Sequence, residues 1–370
     1  MDKLHRDRRK NLTDPAELVQ SGQLFKVRVG SSFFAVIYFP AFICGNSFES
    51  ACLTRLLAMK QGFDLMLVTA GGKGAILHAP AKLNLYFELL ARCRDGYHDM
   101  ETLMVPVSLY DTLFLKAIPS ARAAEPGEID FEFHWCGRAG REPCSAVPAD
   151  ETNLVVRALE LLRQKSGSTA GAQVRLLKRI PTQAGLGGGS SDAAAALLAA
   201  NRVWGIGWSR DRLAEIAFEL GSDVPFFLWQ TPAIVRGRGE RLSPLRQIGD
   251  VHAVIVRPPE GLSTAAVYGA SRVPETPQQI ESLLSALQSG SLGLIKRALH
   301  NRLQEAANQL SPWIRRLRDE FESVHCLAHQ MTGSGSSYFG ICHHARHAKQ
   351  IAARLRGRNL GQVFTVRRAF

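Results

Sequence analysis

The sequence predicts an α+β protein of two domains, and three observations carry that expectation. The chain has 370 residues, enough for two domains with ordinary cores. An alternating segment, Gln173 to Ile180, leads through a glycine-rich loop into an alanine-rich run, which is a strand–loop–helix unit. Beyond residues 240 to 250 the pattern restarts, with an apolar strand from Val251 to Arg257, three helical stretches and a further strand. The boundary is placed at 243/244, giving domains of residues 75–243 and 244–370 behind an extension, 1–74, with no assigned function.

The extension starts polar and basic (Lys3, Arg6, Arg8, Arg9, Lys10), passes through an apolar run from Phe33 to Cys44 and carries no motif. It is expected to pack poorly or to be disordered, with Met59 or Met66 the more natural beginning. From Ala75 the text becomes coherent. Ala75 to His78 reads as a short strand and Ala79 to Leu90 as another, the latter carrying Lys82 and Asn84 near its start. A lysine flanked by Pro80, Ala81, Leu83 and Leu85 holds its charge near apolar surface and calls for an acidic partner or an anion. Asp95-Gly96 marks a turn that presents Tyr97 and His98 side by side, which by itself is more often a loop feature than a site.

Strands are expected over Glu101 to Leu115 and Ile129 to Trp135, and a helix over Asp150 to Arg163 capped by Asp150 or Thr152. The glycine loop follows, and the helix after it takes Ser190 or Ser191 as N-cap. Arg210 to Leu220 is a helix closed by Gly221, and Asp223 stands directly after it, against Val224, Phe226 and Phe227. Taken alone, Asp223 reads best as a capping aspartate. The G-R-G-E-R-L segment turns between strands; Pro277 to Ser289, Leu292 to Leu310 and Pro312 to Phe321 are helical; Tyr338 to Cys342 is a strand.

Composition narrows the function. A net charge of +12 admits nucleic acid or an anionic small molecule, but no aromatic-interleaved basic stripe or nucleic-acid motif appears. Seven cysteines without C-x-x-C spacing point to reduced thiols and a cytoplasmic protein. The Phe33–Cys44 run is too short to span a bilayer. His343, His344 and His347, interleaved with Arg346 and Lys349, read as a solvated basic helix face in preference to a metal site. Between Gly185 and Ala200 there is no lysine, which excludes a Walker A loop; Ser190 stands where a dinucleotide fingerprint needs its third glycine. What remains is a helix start whose amides and dipole suit an anion, or a small-residue turn that packs a helix on a sheet.

Three separated motifs carry the first reading further. P-A-K-L-N-L, G-L-G-G-G-S-S-D-A-A and G-S-G-S-S-Y-F-G resemble, in order, the three motifs of the GHMP kinases, over about residues 75 to 370. The resemblance implies a fold with an N-terminal domain like domain 2 of ribosomal protein S5 and a ferredoxin-like C-terminal domain. D-G-Y-H, S-L-Y-D-T-L and L-G-S-D-V-P-F-F-L are similar to the branch that phosphorylates the 2-hydroxyl of a cytidine-diphosphate-linked methylerythritol, in the non-mevalonate route to isoprenoids. Carried over by position, the family implies Lys82 and Asp223 as catalytic residues. The ATP-phosphate loop would be Pro181, Thr182, Gln183, Ala184, Gly185, Leu186, Gly187, Gly188, Gly189, Ser190 and Ser191. Asn84, Tyr97, His98, Lys178, Gly333, Ser334 and Gly335 would bind substrate, Tyr97 by stacking on cytosine and His98 by hydrogen bonding. Serines and Tyr338 in the third motif, Ser336-Ser337-Tyr338, depart from the smaller or more apolar residues usual there.

The family thus implies ATP as co-substrate with Mg²⁺, a small cytidylated acceptor, no nucleic-acid or membrane partner, and a monomer or homodimer. Phosphoryl transfer needs positioning and charge neutralisation, which an acid, a lysine and an amide-lined loop supply. The rival enzyme is another kinase of the superfamily, of homoserine or mevalonate type, whose substrates offer no nucleobase to Tyr97-His98. The rival of another class is a basic nucleic-acid-binding protein, which would bind with steep salt dependence and turn over no ATP.

Overall fold

Two long strands on either side of the Asp95-Gly96 turn form the centre of the fold, and their near-continuous apolar content is buried over most of their length. The computed structural model describes residues 25–28, 34–37, 66–68, 73–119, 125–136, 147–148, 150–245 and 248–369. The chain divides into a unit of Met1–Leu56 and a unit of Leu57–Phe370. In the first, β1 (Phe25–Arg28) and β2 (Phe34–Ile37) pair antiparallel. Most of the 1–74 extension lies outside the described residues, so its expected disorder falls there too. An exception is β3 (Met66–Val68), which pairs with the start of the first long strand.

That strand, β4, runs unbroken from Gly74 to Arg92, where the sequence suggested two short ones. Pro80 is accommodated because the register shifts between Pro80 and Ala81, a bulge where a missing N–H costs no ladder bond. β5 (His98–Ile118) returns antiparallel beside it. Next come β6 (Ile129–Trp135), α1 (Leu154–Ser166), β7 (Gly171–Lys178), α2 (Gly188–Val203), α3 (Arg210–Leu220) and α4 (Val224–Trp229). The cap of α1 is Asn153, whose side chain accepts from Val155 N; Asp150 instead accepts from Thr152. β8 (Ala233–Gly237) and β9 (Arg241–Pro244) form the hairpin expected around G-R-G-E-R-L.

The second half comprises β10 (His252–Arg257), α5 (Thr264–Ala270), α6 (Glu281–Ser289), α7 (Leu292–Ala298), β11 (His300–Asn301), α8 (Leu303–Leu310), α9 (Pro312–Ser323), β12 (Ala328–Met331), β13 (Tyr338–Cys342), α10 (Ala345–Arg356) and β14 (Gln362–Arg367). The run from Leu292 to Leu310 is therefore not one helix: β11 interrupts it to pair parallel with Tyr86 and Phe87 of β4. Two sheets organise the second unit. The larger has the order β11-β4-β5-β7-β6, with β3 on β4 and β8 joining β5 to β9; the smaller is β12-β13-β10-β14, antiparallel throughout.

Helices α1 to α3 bury Leu159, Leu197 and Leu213 in a core shared with Leu77, Leu113 and Val174 of the large sheet. Strand alternation places Leu83, Leu85 and Val105 in a second cluster, with Ile255 and Phe339 of the small sheet. The α+β class holds, and the middle of β4 is fixed by packing from both sides. Lys82 lies there.

Candidate active site

The glycine loop is shaped by what approaches it. After β7, the backbone N–H groups of Arg179 and Ile180 both donate to Asp111 Oδ1, which turns the chain out of the sheet. Gly185 and Gly187 each adopt φ of 70°, a left-handed conformation that side chains disfavour. Space excludes them as well. A Cβ on Gly185 would lie 2.3 Å from the carbonyl oxygen of Thr332, and one on Gly187 would lie 2.8 Å from Phe227 Cζ and 3.1 Å from Lys82 Cγ. Helix α2 begins one turn earlier than the sequence suggested, with Gly187 as N-cap and no side-chain cap, so Ser190 and Ser191 lie inside the helix. Ser191 is buried. An uncapped helix start of this kind combines free amides with a positive dipole end, which together favour an anion.

Lys82 is laced to this loop by its main chain, its N–H donating to Leu186 O at 2.9 Å. Its buried ammonium donates to Asn84 Oδ1 at 2.5 Å and stands 3.6 Å from Asp223 Oδ2. Residues two apart on a strand share a face, which is why Lys82 and Asn84 meet. Asn84 is itself held, donating from Nδ2 to Thr102 Oγ1 at 2.8 Å and from its backbone N–H to Thr332 Oγ1 at 3.0 Å. Burial depresses the Lys82 ammonium below the usual lysine range, and the neighbouring Asp223 only partly offsets it.

Asp223 occupies the N-cap position of α4 but makes no capping hydrogen bond. Its side chain is 35% exposed and turned to Lys82, so the capping reading does not describe it. The third motif closes the circle. Gly333 (φ 56°) comes so near that a Cβ there would lie 3.0 Å from Lys82 Nζ and 3.2 Å from Asn84 Oδ1. Ser334 Oγ lies 2.9 Å from Thr264 Oγ1 of α5. Gly335 also has a left-handed φ, and Ser337 N–H donates to Ala184 O at 3.2 Å, joining the third motif to the glycine loop. Tyr338 turns into the core instead, its hydroxyl 3.1 Å from His329 Nδ1.

Tyr97 is 62% exposed, with the Arg238 guanidinium 4.7 Å from its ring centroid. Arg238 is in turn paired with Asp95. His98 is half-buried, its ring 5.6 Å from that of Tyr268 on α5. Burial, helped by Arg92, lowers its pKa from the usual histidine value, so at neutral pH the ring keeps one donor and one acceptor nitrogen. The Tyr268 hydroxyl is pushed well up by burial and by the charge of Asp223.

Lys178 is buried, its ammonium 2.5 Å from Asp111 Oδ2 and 2.7 Å from Asp192 Oδ2. The structure brings Lys82, Asn84, Asp223, the 185–187 turn and Gly333 together, and sets His98 against Tyr268 of α5, while Tyr97 meets Arg238. Sequence reasoning passed over Tyr268, Thr332, Asp111, Asp192 and Asn301, whose Nδ2 donates to Met331 O and Gly333 O and so pins the third motif. Asp111 and Asp192 had a signal, being acids inside two of the quoted motifs; Asn301 had none.

Residues 153–231 match the GHMP kinases N terminal domain and residues 283–360 the GHMP kinases C terminal family. A relative from Pelotomaculum thermopropionicum, a 4-diphosphocytidyl-2-C-methyl-D-erythritol kinase, is 38% identical over 283 residues, covering 75% of this chain and 92% of that protein. The kinase of the same name from Symbiobacterium thermophilum is 39% identical over 70% of this chain and 88% of its own length. A crystal structure of 4-(cytidine 5'-diphospho)-2C-methyl-D-erythritol kinase superposes with a TM-score of 0.64 at 34% identity, over 79% of this chain and 98% of that one. Homoserine kinase from Cytophaga hutchinsonii has a TM-score of 0.59 over 79% of this chain and 94% of its own, at 19% identity, a likeness of fold alone. By this identity and coverage, the chain belongs to the 4-diphosphocytidyl-2-C-methyl-D-erythritol kinase family of GHMP kinases.

Proposed function

We propose that the chain transfers the γ-phosphoryl group of ATP to the 2-hydroxyl of 4-diphosphocytidyl-2-C-methyl-D-erythritol, with Asp223 as general base and Lys82 as its electrostatic partner. The observation that carries this reading is the 3.6 Å approach of Lys82 Nζ to Asp223 Oδ2 beside the Gly185–Gly187 turn. Residues from three distant parts of the chain have little structural reason to leave a partly exposed carboxylate against a buried ammonium there.

In the reaction, the acceptor oxygen bonds to the γ-phosphorus as the bond to the bridging oxygen breaks, and ADP leaves. Asp223 takes the hydroxyl proton. Lys82, held by Asn84, faces the charge on the transferring group, and the amides at the start of α2 hold the remaining phosphates. ATP enters as its Mg²⁺ complex, so part of the neutralising charge arrives with the substrate. A tertiary hydroxyl is a poor nucleophile, which puts the weight on orientation. Tyr97 and His98 supply it by holding the cytosine, with Tyr268 as a second ring beside His98. Gly333, Ser334 and Gly335 line the floor.

The same reading takes residues 75–243 and 244–370 as the two domains, the cytoplasm as the compartment, a monomer or homodimer as the working form, and neither nucleic acid nor membrane as partner. Among the described residues no helix is long and apolar enough to cross a membrane. A coupled ADP-release assay tests the reading with three acceptors. Turnover with cytidylated methylerythritol and none with homoserine or mevalonate is the expected result. Preference for either of those two, or salt-sensitive DNA binding with no turnover at all, overturns it.

A further inference from the structure

Behind the glycine loop, on the side away from Lys82, lies a buried cluster that the reaction does not use directly. Lys178 ends β7, Asp111 comes from β5 and Asp192 from the second turn of α2, so three elements that frame the loop meet at one ammonium. The side chains of Lys178, Asp111 and Asp192 are 3%, 0% and 4% exposed, which shuts them off from bulk solvent. The cluster touches the loop itself. A Cβ on Gly188 would lie 3.3 Å from Lys178 Nζ, and Asp111 Oδ1 receives the two backbone N–H groups that lead into the loop.

The two acids are not equivalent. Asp111 accepts from Lys178 through one oxygen and from Arg179 and Ile180 N–H through the other, so both of its oxygens are occupied as acceptors. Asp192 accepts from Lys178 through Oδ2, while its Oδ1 is buried with no hydrogen-bond partner among the described residues. Both carboxyls meet the same Lys178 ammonium, which makes the two buried acids close neighbours sharing one cation. Burial, reinforced by Asp111 and opposed by Lys178, holds the Asp192 carboxyl well above the usual carboxylate range. The Lys178 ammonium is held above its usual range, the two acids outweighing its burial.

We propose that Asp111, Lys178 and Asp192 are positioning residues that fix the glycine loop for ATP, built as an ionised Asp111–Lys178 pair beside a neutral Asp192 carboxyl that donates to Asp111. This inference rests on the reading of the loop as the ATP cradle. Its physical sense is electrostatic. A lysine with two ionised acids would place a net negative charge in a dry region beneath a loop that must hold phosphates, where repulsion is poorly screened. With the proton on Asp192 the cluster is neutral, the loop is still tied to three elements, and its amides stay aimed.

The acids therefore separate under substitution. An asparagine at position 192 reproduces both contacts, its carbonyl accepting from Lys178 and its NH₂ donating to Asp111. An asparagine at 111 keeps a carbonyl for the loop amides but turns an NH₂ toward the ammonium. ATP affinity is measured directly on the full chain by calorimetric titration without acceptor, with KM for the acceptor and melting temperature alongside. We expect Asp192→Asn to keep the ATP Kd within about twofold, and Asp192→Ala to weaken it about tenfold, the scale of one lost buried hydrogen bond. KM for the acceptor should be unmoved in both. Lys178→Met and Asp111→Asn should weaken ATP further; should either fail to fold, the Asn/Ala pair at 192 decides alone. Loss of ATP affinity in Asp192→Asn equal to that in Asp192→Ala overturns the neutral carboxyl. Unchanged ATP affinity in Asp192→Ala overturns the positioning role. Failure of the wild type to bind ATP at all overturns the underlying reading instead, so the failures are distinguishable.

Discussion

At the scale of single residues, the account turns on how differently one residue type behaves in different surroundings. Asp223 follows a helix and precedes Val224-Pro225, so by sequence it is indistinguishable from a capping aspartate. Only its missing cap bond and its turn toward Lys82 separate the two. Lys82 was legible as a lysine in need of a partner because its neighbours are apolar, and the partner, on a remote helix start, came from the family resemblance and not from the residues around either. Its burial makes a pH prediction. With its ammonium depressed below the ordinary lysine value of 10.5, kcat/KM should fall on the alkaline side before an exposed lysine would titrate. A plateau extending past that value would show that the charge is not needed in the free enzyme. Tyr97→Ala should raise KM for the cytidylated acceptor far more than KM for ATP, because the proposed reading gives the exposed ring to the cytosine and not to the ATP phosphates. Equal changes in both constants would remove it from the base site.

At the scale of elements, local pattern served where an element is held by its own residues and failed where distant ones decide. β6, α3 and β13 fall where alternation or apolar spacing put them, to the residue. The break in the Leu292–Leu310 run could not be read, because its cause lies on β4. Glu88 there is fully buried and accepts from Arg302 Nε at 2.7 Å and Nη2 at 2.8 Å, with His300 at 3.1 Å, and this pulls β11 onto the sheet. Burial alone would raise the Glu88 carboxyl, but Arg302, His300 and two backbone N–H groups outweigh it and hold it far below the usual range. A lowered folded-state pKa stabilises the protein above the unfolded value near 4.5 and ceases to do so as pH falls through the folded one. Glu88→Ala should therefore lower stability by about 2–3 kcal/mol at neutral pH in denaturant titrations, since it removes the charged hydrogen bonds of a half-buried guanidinium. A loss under about 1 kcal/mol would mean the pair is solvated. The glycine loop makes a sharper test. Gly185→Ala combines a left-handed φ with a Cβ 2.3 Å from a backbone carbonyl that cannot swing away. It should weaken ATP binding at least tenfold, about 1.4 kcal/mol or more; wild-type affinity would show that the loop and third motif move apart freely.

At the scale of the whole molecule, order along the chain mattered more than any one motif. A single glycine loop favoured anion binding without excluding a tight packing turn, whereas three ordered motifs pointed to the superfamily and its α+β fold. How they converge on one ammonium is a property of the sheets. β4 carries the first motif, the loop after β7 the second, and the turn between β12 and β13 the third. Net charge was the least informative observation, since it suits an anionic small substrate as well as nucleic acid. The division at Leu56/Leu57, with β3 paired to β4 from the far side of it, yields a truncation prediction. A chain starting at Leu57 should keep full ATP turnover, while one starting at Gly74 should melt at lower temperature, having lost the strand that covers the start of β4. Equal melting of the two would deny β3 a role.

The most direct test of the central claim is a paired measurement on Asp223→Asn: ATP affinity by titration, and turnover with cytidylated methylerythritol. If Asp223 takes the acceptor proton beside Lys82, ATP should bind within about threefold of the wild type while turnover falls by at least about 10²-fold, the lower range for a general base. Turnover near the wild-type rate at unchanged ATP affinity would contradict the account.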